Sequence, residues 1–240
     1  MVIYRTPPLR DFVGRRFATR SPLVSWLVFE RLGGAMAYLL ARVRTPPAVA
    51  MLAGGATGIL GATLLATAED GGDAAVAAVV LLLAYGFDCS DGQLARATGR
   101  TSAMGAWLDV TVDSVVLAFV TVALSQALGA DGDPLRGVLV AGAYGATRTA
   151  SLFTATTVRM SDQGGLELHG LRQTLRTLYV GATDTPVVYV VLCATRPATD
   201  LLAVAVVVIT VMTVVQTAVS AHHYFATLGE HASPAGSRIG

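Results

Sequence analysis

The sequence contains no lysine, and arginine supplies all 17 of its basic side chains. With 16 acidic residues the formal net charge is only +1, so gross charge gives no indication of nucleic-acid binding. Only two cysteines are present, Cys89 and Cys193, and both lie in apolar stretches without the spacing of a zinc site. We therefore expect buried small side chains there rather than a disulfide. The first 20 residues carry five arginines and no apolar core, which argues against a signal peptide.

Apolar residues, by contrast, make up 53% of the chain and cluster into six long runs. The runs cover residues 47–67, 74–96, 103–127, 136–160, 174–194 and 200–225. Each is close to the ~20 residues that a helix needs to cross the hydrocarbon core of a bilayer. Only helices satisfy their own backbone groups there at such lengths. The sequence therefore predicts an all-α integral membrane protein with six transmembrane helices.

The segment before the first run, residues 1–44, has a different character. It holds eight of the arginines, interleaved with aromatic and aliphatic residues. This pattern is typical of an amphipathic helix that lies on an anionic membrane surface. Pro22 is expected to interrupt that helix. A marginal membrane span over residues 23–41 is the alternative, but Glu30 and Arg31 would lie near its middle.

The distribution of arginines predicts the orientation in the membrane. If the N-terminus is cytoplasmic, 14 of the 17 arginines fall in cytoplasmic segments, and only Arg136 and Arg196 lie in outer links. We therefore expect a multi-pass protein of the cytoplasmic membrane with both termini inside. The predicted division is a juxtamembrane segment, a catalytic membrane domain and a polar tail, over residues 1–44, 45–227 and 228–240.

Small residues in the first run indicate a close helix contact. Gly54 and Gly58 are four residues apart, and Gly61 follows on nearly the same face. This spacing lets two helix backbones approach closely in lipid. The contact lies either within the fold or between subunits.

Four aspartates interrupt the apolar pattern between the second and third runs: Asp88, Asp91, Asp109 and Asp113. A carboxylate in a membrane span costs at least ~2.5 kcal/mol on insertion scales, and four together repel one another unless a cation lies between them. Asp88 and Asp91 are three residues apart and Asp109 and Asp113 are four apart, so each pair lies on one face of its helix. An all-oxygen donor set favours Mg²⁺, with Mn²⁺ or Ca²⁺ as substitutes, and we expect two ions. Helix capping or structural ion pairs are the alternative.

Small residues accompany these carboxylates. Gly92 and Ala95 follow on the face of the first pair, and Gly105 precedes Asp109 by one turn. They predict a smooth groove in which a ligand approaches the helix backbone closely. Arg96 ends the second run, within reach of a phosphate or an aspartate.

The complete pattern D-x2-D-G-x2-A-R-x8-G-x3-D-x3-D, from Asp88 to Asp113, resembles the signature of the CDP-alcohol phosphatidyltransferases at every fixed position. Thr45 and Pro46 also resemble the start of the family's Thr-Pro-Asn element, but Pro47 replaces the asparagine. The resemblance implies six membrane helices after a surface helix, a cytoplasmic active site and a homodimer.

The resemblance also implies an activity and residue roles. Such enzymes move a substituted phosphate, here a phosphatidyl group, from a CDP-linked donor such as CDP-diacylglycerol to an alcohol, and release CMP. Asp88, Asp91 and Asp109 resemble metal ligands, while Asp113 resembles both a ligand and the general base. The positions that resemble the nucleotide side are Thr45, Pro46, Asp88, Gly92, Ala95, Arg96 and Gly105.

The acceptor side is less defined by the sequence. Arg148 lies within the fourth run and Arg176 at the start of the fifth, in places that resemble a pocket for a phosphorylated acceptor such as inositol phosphate or glycerol phosphate. Asp184, deep in the fifth run, is expected to need a partner, for which Arg148 is the candidate. An unphosphorylated alcohol such as serine is the alternative acceptor. The alternative functions are those of a membrane prenyltransferase and of a divalent-cation transporter.

Overall fold

The computed structural model describes residues 7–18, 22, 24–159 and 180–232. Within these ranges the regular structure is helical and contains no strand. We number the α-helices α1 to α8; a π-helical turn, Ser25–Phe29, runs directly into α2. The helices are α1 (Leu9–Val13), α2 (Glu30–Arg42), α3 (Pro47–Thr67), α4 (Gly71–Thr98), α5 (Ala103–Gly129), α6 (Pro134–Arg159), α7 (Thr185–Thr195) and α8 (Thr199–Ala232).

Four of the described helices are long and apolar enough to cross a membrane. They are Pro47–Thr67, Gly71–Thr98, Ala103–Gly129 and Thr199–His222, and they coincide with the first, second, third and sixth predicted spans. The fourth predicted span falls on the 26-residue helix α6. The all-α membrane class is thus confirmed, while the count of six spans stays a prediction.

The fifth predicted span differs from the structure in its described part. Residues 180–182 are helical, but a turn at Thr183 and Asp184 interrupts the helical conformation before α7 begins. The continuous helix expected over this region is therefore wrong at these two residues. Pro186 stands in the first turn of α7, where a missing N–H costs little, so the sequence permits a new helix to start there.

Local sequence signals set the turn between α4 and α5. α4 is followed directly by Gly99, which has a φ of 64°, a left-handed conformation that glycine adopts without steric cost. Ser102 then caps α5, because its Oγ accepts a hydrogen bond from the backbone N–H of Gly105 at 3.0 Å. The two helices are consequently joined by a short, hydrogen-bonded link.

α3 packs closely against both α4 and α5 through its glycines. A Cβ atom at Gly54 would lie 2.9 Å from the Cβ of Phe87, and one at Gly58 would lie 2.8 Å from Val116 Cγ1. Gly61 is equally crowded by Leu81. The close contact that the glycine spacing predicts therefore lies within the fold.

The N-terminal segment packs on the bundle where α3 begins and α4 ends. Phe12 is fully buried in a cluster with Ala37, Ala41, Ala50 and Leu94. A Cβ at Gly33 would lie 2.6 Å from the Cβ of Cys89, so α2 runs directly against α4. A second, larger core fills the other half of the bundle and includes Leu65, Leu81, Leu124, Leu128, Tyr144, Leu192 and Leu202.

Candidate active site

A cavity of about 270 Å³ opens among α3 to α8. Two groups of polar residues in its lining are named here as walls. The first, which we call the acidic wall, consists of Asp88 and Asp91 on α4 with Asp109 and Asp113 on α5. The second, which we call the mixed wall, consists of Arg148 on α6, Thr183, Asp184 and Thr185 at the start of α7, and Gln216 on α8.

Three carboxylates of the acidic wall are close enough to share a cation. Asp88, Asp91 and Asp109 each offer one carboxylate oxygen, and these three oxygens lie within 4.8 Å of one another. Asp91 is only 3% exposed, and its Oδ2 atom has no hydrogen-bond partner among the described residues. A buried carboxylate oxygen without a partner is costly unless a cation binds it. The donor set therefore fits a hard divalent ion.

Asp113 lies outside this three-carboxylate group but lines the same cavity. It follows Asp109 by one helical turn, so both side chains project from one face of α5. α3 holds this face in place, since a Cβ at Gly55 would lie 2.6 Å from Val112 Cγ1, between the two aspartates in sequence. The four predicted carboxylates thus reach a common cavity.

The other predicted residues of α4 lie beside Arg96. A Cβ at Gly92 would lie 3.1 Å from Arg96 Nη1, so the absence of a side chain there makes room for the guanidinium. Arg96 Nε donates a hydrogen bond to the carbonyl of Phe17. Arg96 therefore ties the N-terminal segment to α4. Of the described residues, those lining the cavity do not include Gly92, Ala95 or Arg96.

The remaining nucleotide candidates occupy helix starts. Pro46 precedes the first residue of α3 in an extended conformation, and the backbone N–H of Thr45 donates to the carbonyl of Leu40 at 3.0 Å. Gly105 donates its N–H to Ser102 in the first turn of α5. The described cavity lining does not reach these three positions either.

Arg148 forms hydrogen bonds on both sides of Asp184, in the turn at Thr183 and Asp184 that we call the break before α7. Its Nη1 donates to the carbonyl of Thr183 at 3.1 Å, and its Nη2 donates to Thr185 Oγ1 at 3.0 Å. The guanidinium therefore spans the residues on either side of Asp184. Arg176, the other predicted acceptor residue, lies outside the described residues.

Asp184 has a different partner from the one expected. Its Oδ1 accepts from Ser25 Oγ at 2.6 Å, and its Oδ2 accepts from the Ser25 backbone N–H at 2.8 Å. Arg148, the candidate partner, hydrogen-bonds to the two flanking residues and acts on Asp184 as a nearby positive charge. Ser25 lies 159 residues away in sequence, so no local pattern indicates the pairing.

Several further polar residues of the cavity were not predicted from the sequence. Tyr85 lines it and forms a 2.6 Å hydrogen bond with Ser25 Oγ. Thr183 Oγ1 donates to the side-chain oxygen of Gln216. The available signals were a glutamine within the last apolar run and a tyrosine three residues before Asp88.

Comparison with known proteins identifies the fold and family. The family model described as CDP-alcohol phosphatidyltransferase matches residues 43–233. The crystal structure of Mycobacterium tuberculosis phosphatidylinositol phosphate synthase with CDP-DAG bound is 24% identical and has a TM-score of 0.54, covering 80% of this chain and 92% of that one. The same enzyme in complex with manganese and citrate is 24% identical with a TM-score of 0.52, covering 78% and 86%. No curated protein sequence matches the chain significantly.

Proposed function

Because the chain belongs to the CDP-alcohol phosphatidyltransferase family, and is thus a membrane enzyme of phosphatidyl transfer, we propose that it uses CDP-diacylglycerol as donor and a phosphorylated polyol as acceptor. The observation that carries this proposal is a single cavity that joins a carboxylate cluster to a partly buried arginine. The structurally similar mycobacterial synthase, which has CDP-DAG bound, supports the choice of donor.

The acidic wall holds divalent cations in this proposal, with Mg²⁺ as the physiological ion and Mn²⁺ or Ca²⁺ as substitutes. Asp88, Asp91 and Asp109 supply one site, and Asp113 extends the donor set toward a second ion. The manganese complex of the mycobacterial synthase supports the use of divalent metal. Bound there, the cation neutralises charge that builds up on the phosphate oxygens as the diphosphate is cleaved.

The chain's own residues orient the donor and move the proton. The acceptor oxygen forms a bond to the β-phosphorus of the donor, the bond from that phosphorus to CMP breaks, and Asp113 takes the hydroxyl proton. Arg96, whose guanidinium lies beside Gly92, pairs with the diphosphate, and the small side chain of Ala95 lets the nucleotide lie along this face of α4. Thr45, Pro46 and Gly105 complete the nucleotide side.

Arg148 binds the phosphate of the acceptor, together with Arg176. A guanidinium has five N–H donors, and the two bonds of Arg148 to Thr183 and Thr185 leave others for a ligand. Its planar fork suits the bidentate recognition of phosphate. A phosphorylated polyol such as inositol phosphate or glycerol phosphate therefore fits this wall better than an unphosphorylated alcohol such as serine.

The arrangement in the cell follows from the same reasoning. We propose that residues 45–227 form the catalytic domain, and that residues 1–44 and the tail 228–240 lie on the cytoplasmic side of the cytoplasmic membrane with the active site. The arginine distribution supports this orientation. A homodimer is expected from family resemblance.

An acceptor panel tests the proposal. Purified protein with CDP-diacylglycerol and Mg²⁺ is given inositol phosphate, glycerol phosphate, inositol, glycerol or serine, and CMP release and product mass are measured. We expect CMP only with a phosphorylated polyol, and a product that retains the acceptor phosphate. Asp88→Asn is the matched inactive control. A serine product would replace the proposed acceptor class, and no CMP release from any acceptor would contradict the activity itself.

A further inference from the structure

A buried hydrogen-bonded contact joins the N-terminal segment to the break before α7. Ser25 is fully buried and Asp184 is 4% exposed. Both carboxylate oxygens of Asp184 accept from Ser25, one from its hydroxyl at 2.6 Å and the other from its backbone N–H at 2.8 Å. A carboxylate at this depth is costly, so two short hydrogen bonds from one residue indicate a contact that the fold maintains.

The contact continues to α4, which carries Asp88 and Asp91. Ser25 Oγ gives its single proton to Asp184, so the 2.6 Å contact with Tyr85 is a hydrogen bond that Tyr85 donates. Tyr85 lies on α4, three residues before Asp88, and lines the cavity. Three elements distant in sequence therefore meet at Ser25.

A capping function does not account for Asp184. It occupies the residue before α7, where an aspartate ordinarily accepts from the backbone of the first helical turn. Its side chain makes no such capping hydrogen bond, and both oxygens are directed to Ser25. Of the two residues whose N–H a cap ordinarily binds, the second and third of the helix, the second is Pro186, which has no N–H.

The same break holds Arg148. The carbonyl of Thr183 and the hydroxyl of Thr185 accept from the two terminal nitrogens of its guanidinium. These acceptors flank Asp184 directly, so a shift of Asp184 moves both of them. The location of the Arg148 side chain in the cavity is consequently coupled to the Ser25–Asp184 contact.

We propose that Asp184 is a positioning residue for acceptor recognition: anchored by Ser25, it fixes the break before α7 and thereby holds Arg148 in the orientation that meets the acceptor phosphate. The reading of Arg148 as an acceptor contact rests on the proposed function. The coupling between Asp184 and Arg148 rests on the geometry alone. The N-terminal segment then contributes to acceptor affinity without touching the acceptor.

The experiment compares Asp184→Ala, Asp184→Asn and Ser25→Ala with the full-length parent protein in detergent or vesicles. For Asp184→Ala, the acceptor KM should rise about 10-fold or more, as expected when hydrogen bonds to a charged group are lost, while the donor KM changes less than about 2-fold. Asp184→Asn keeps one carbonyl oxygen, so its acceptor KM should lie between the values of the parent and of Asp184→Ala. Ser25→Ala keeps the backbone N–H bond and should show the smallest change. Equal increases in both KM values would overturn the proposal.

A second measurement does not depend on catalysis. The rate at which phenylglyoxal modifies Arg148 is followed by peptide mass spectrometry, with Arg136 as the internal reference. In Asp184→Ala the rate at Arg148 should rise several-fold, because the bonds to Thr183 and Thr185 are loosened. It should not change in Thr210→Val, whose hydroxyl donates to the carbonyl of Val206 in its own helix. If the parent enzyme proves inactive, this rate still decides the coupling.

An unchanged reactivity of Arg148 in Asp184→Ala would overturn the inference, whatever the kinetics show. Should Asp184→Ala fail to fold, Ser25→Ala carries the same comparison with a smaller expected change. Parental behaviour of that variant in both measurements would then count as the contradicting result.

Discussion

The two walls of the cavity are built in different ways. The acidic wall comes from one stretch of 26 residues, 88–113, on two unbroken helices joined by a short link. The mixed wall comes from α6, the break before α7, and α8, and it depends on Ser25 from the N-terminal segment. One wall is set by local spacing on helices, and the other by hydrogen bonds between distant parts of the chain.

The walls also differ in how closely they are packed. α3 lies so near the acidic wall that Gly55 and Gly58 leave no room for a Cβ against Val112 and Val116. The mixed wall instead has a helix interrupted at Thr183 and Asp184, and the Arg148 side chain binds the carbonyl of Thr183 at this interruption. Rigid packing suits the reacting groups, which require a fixed geometry, and a hydrogen-bonded break suits the recognition of one acceptor among several.

The largest expected effect falls on the acidic wall. Asp113→Asn removes the group that takes the proton, so kcat should fall about 10²–10⁴-fold, the usual contribution of a general base. CMP release measures the loss, and calorimetric titration with CDP should show nucleotide binding retained. Full activity in this variant would show that Asp113 is not the base.

A smaller and more selective effect is expected on the mixed wall. Arg148→Lys keeps the charge but cannot span Thr183 and Thr185 with a planar fork, so the acceptor KM should rise about 10-fold or more. The donor KM should stay near the parental value. Initial rates with each substrate varied in turn measure both quantities, and an effect confined to the donor would assign Arg148 to the acidic side.

The packing difference gives the third prediction. Gly58→Ala places a methyl group 2.8 Å from Val116 Cγ1, and overpacking of this kind costs about 1–3 kcal/mol. Thermal unfolding in detergent should show the loss, and Val116→Ala in the same chain should restore part of it. Gly142→Ala is the matched control, since a Cβ there meets nothing within 4 Å. Equal stability of the Gly58 and Gly142 variants would contradict the close packing of α3.

The same contrast explains what the sequence could predict. Asp88 and Asp91, three residues apart, share a helix face whatever the rest of the fold does, so a common cavity followed from spacing. The glycine face of α3 was also visible, although its partner was not, because spacing alone does not distinguish α4 from a second subunit. The family assignment rested on this local pattern and is confirmed.

The mixed wall could not be predicted because its contacts are long-range. Nothing near Asp184 indicates Ser25, and hydrophobicity conceals the break because the residues around it are mostly apolar or small. One signal was present, since Thr185-Pro186 after an aspartate is a pattern typical of helix starts. That pattern predicts a helix start at Thr185, within the fifth predicted span.

The most direct test of the account measures CMP release from CDP-diacylglycerol as a function of divalent cation, in the parent enzyme and in Asp91→Asn. We predict no release in excess EDTA and recovery on adding Mg²⁺ or Mn²⁺. In Asp91→Asn, release should fall by at least about 100-fold at any Mg²⁺ concentration, because a cation at a reacting phosphate is worth several kcal/mol. Undiminished CMP release in EDTA, or in Asp91→Asn, would contradict the assignment of the acidic wall as the metal-dependent centre.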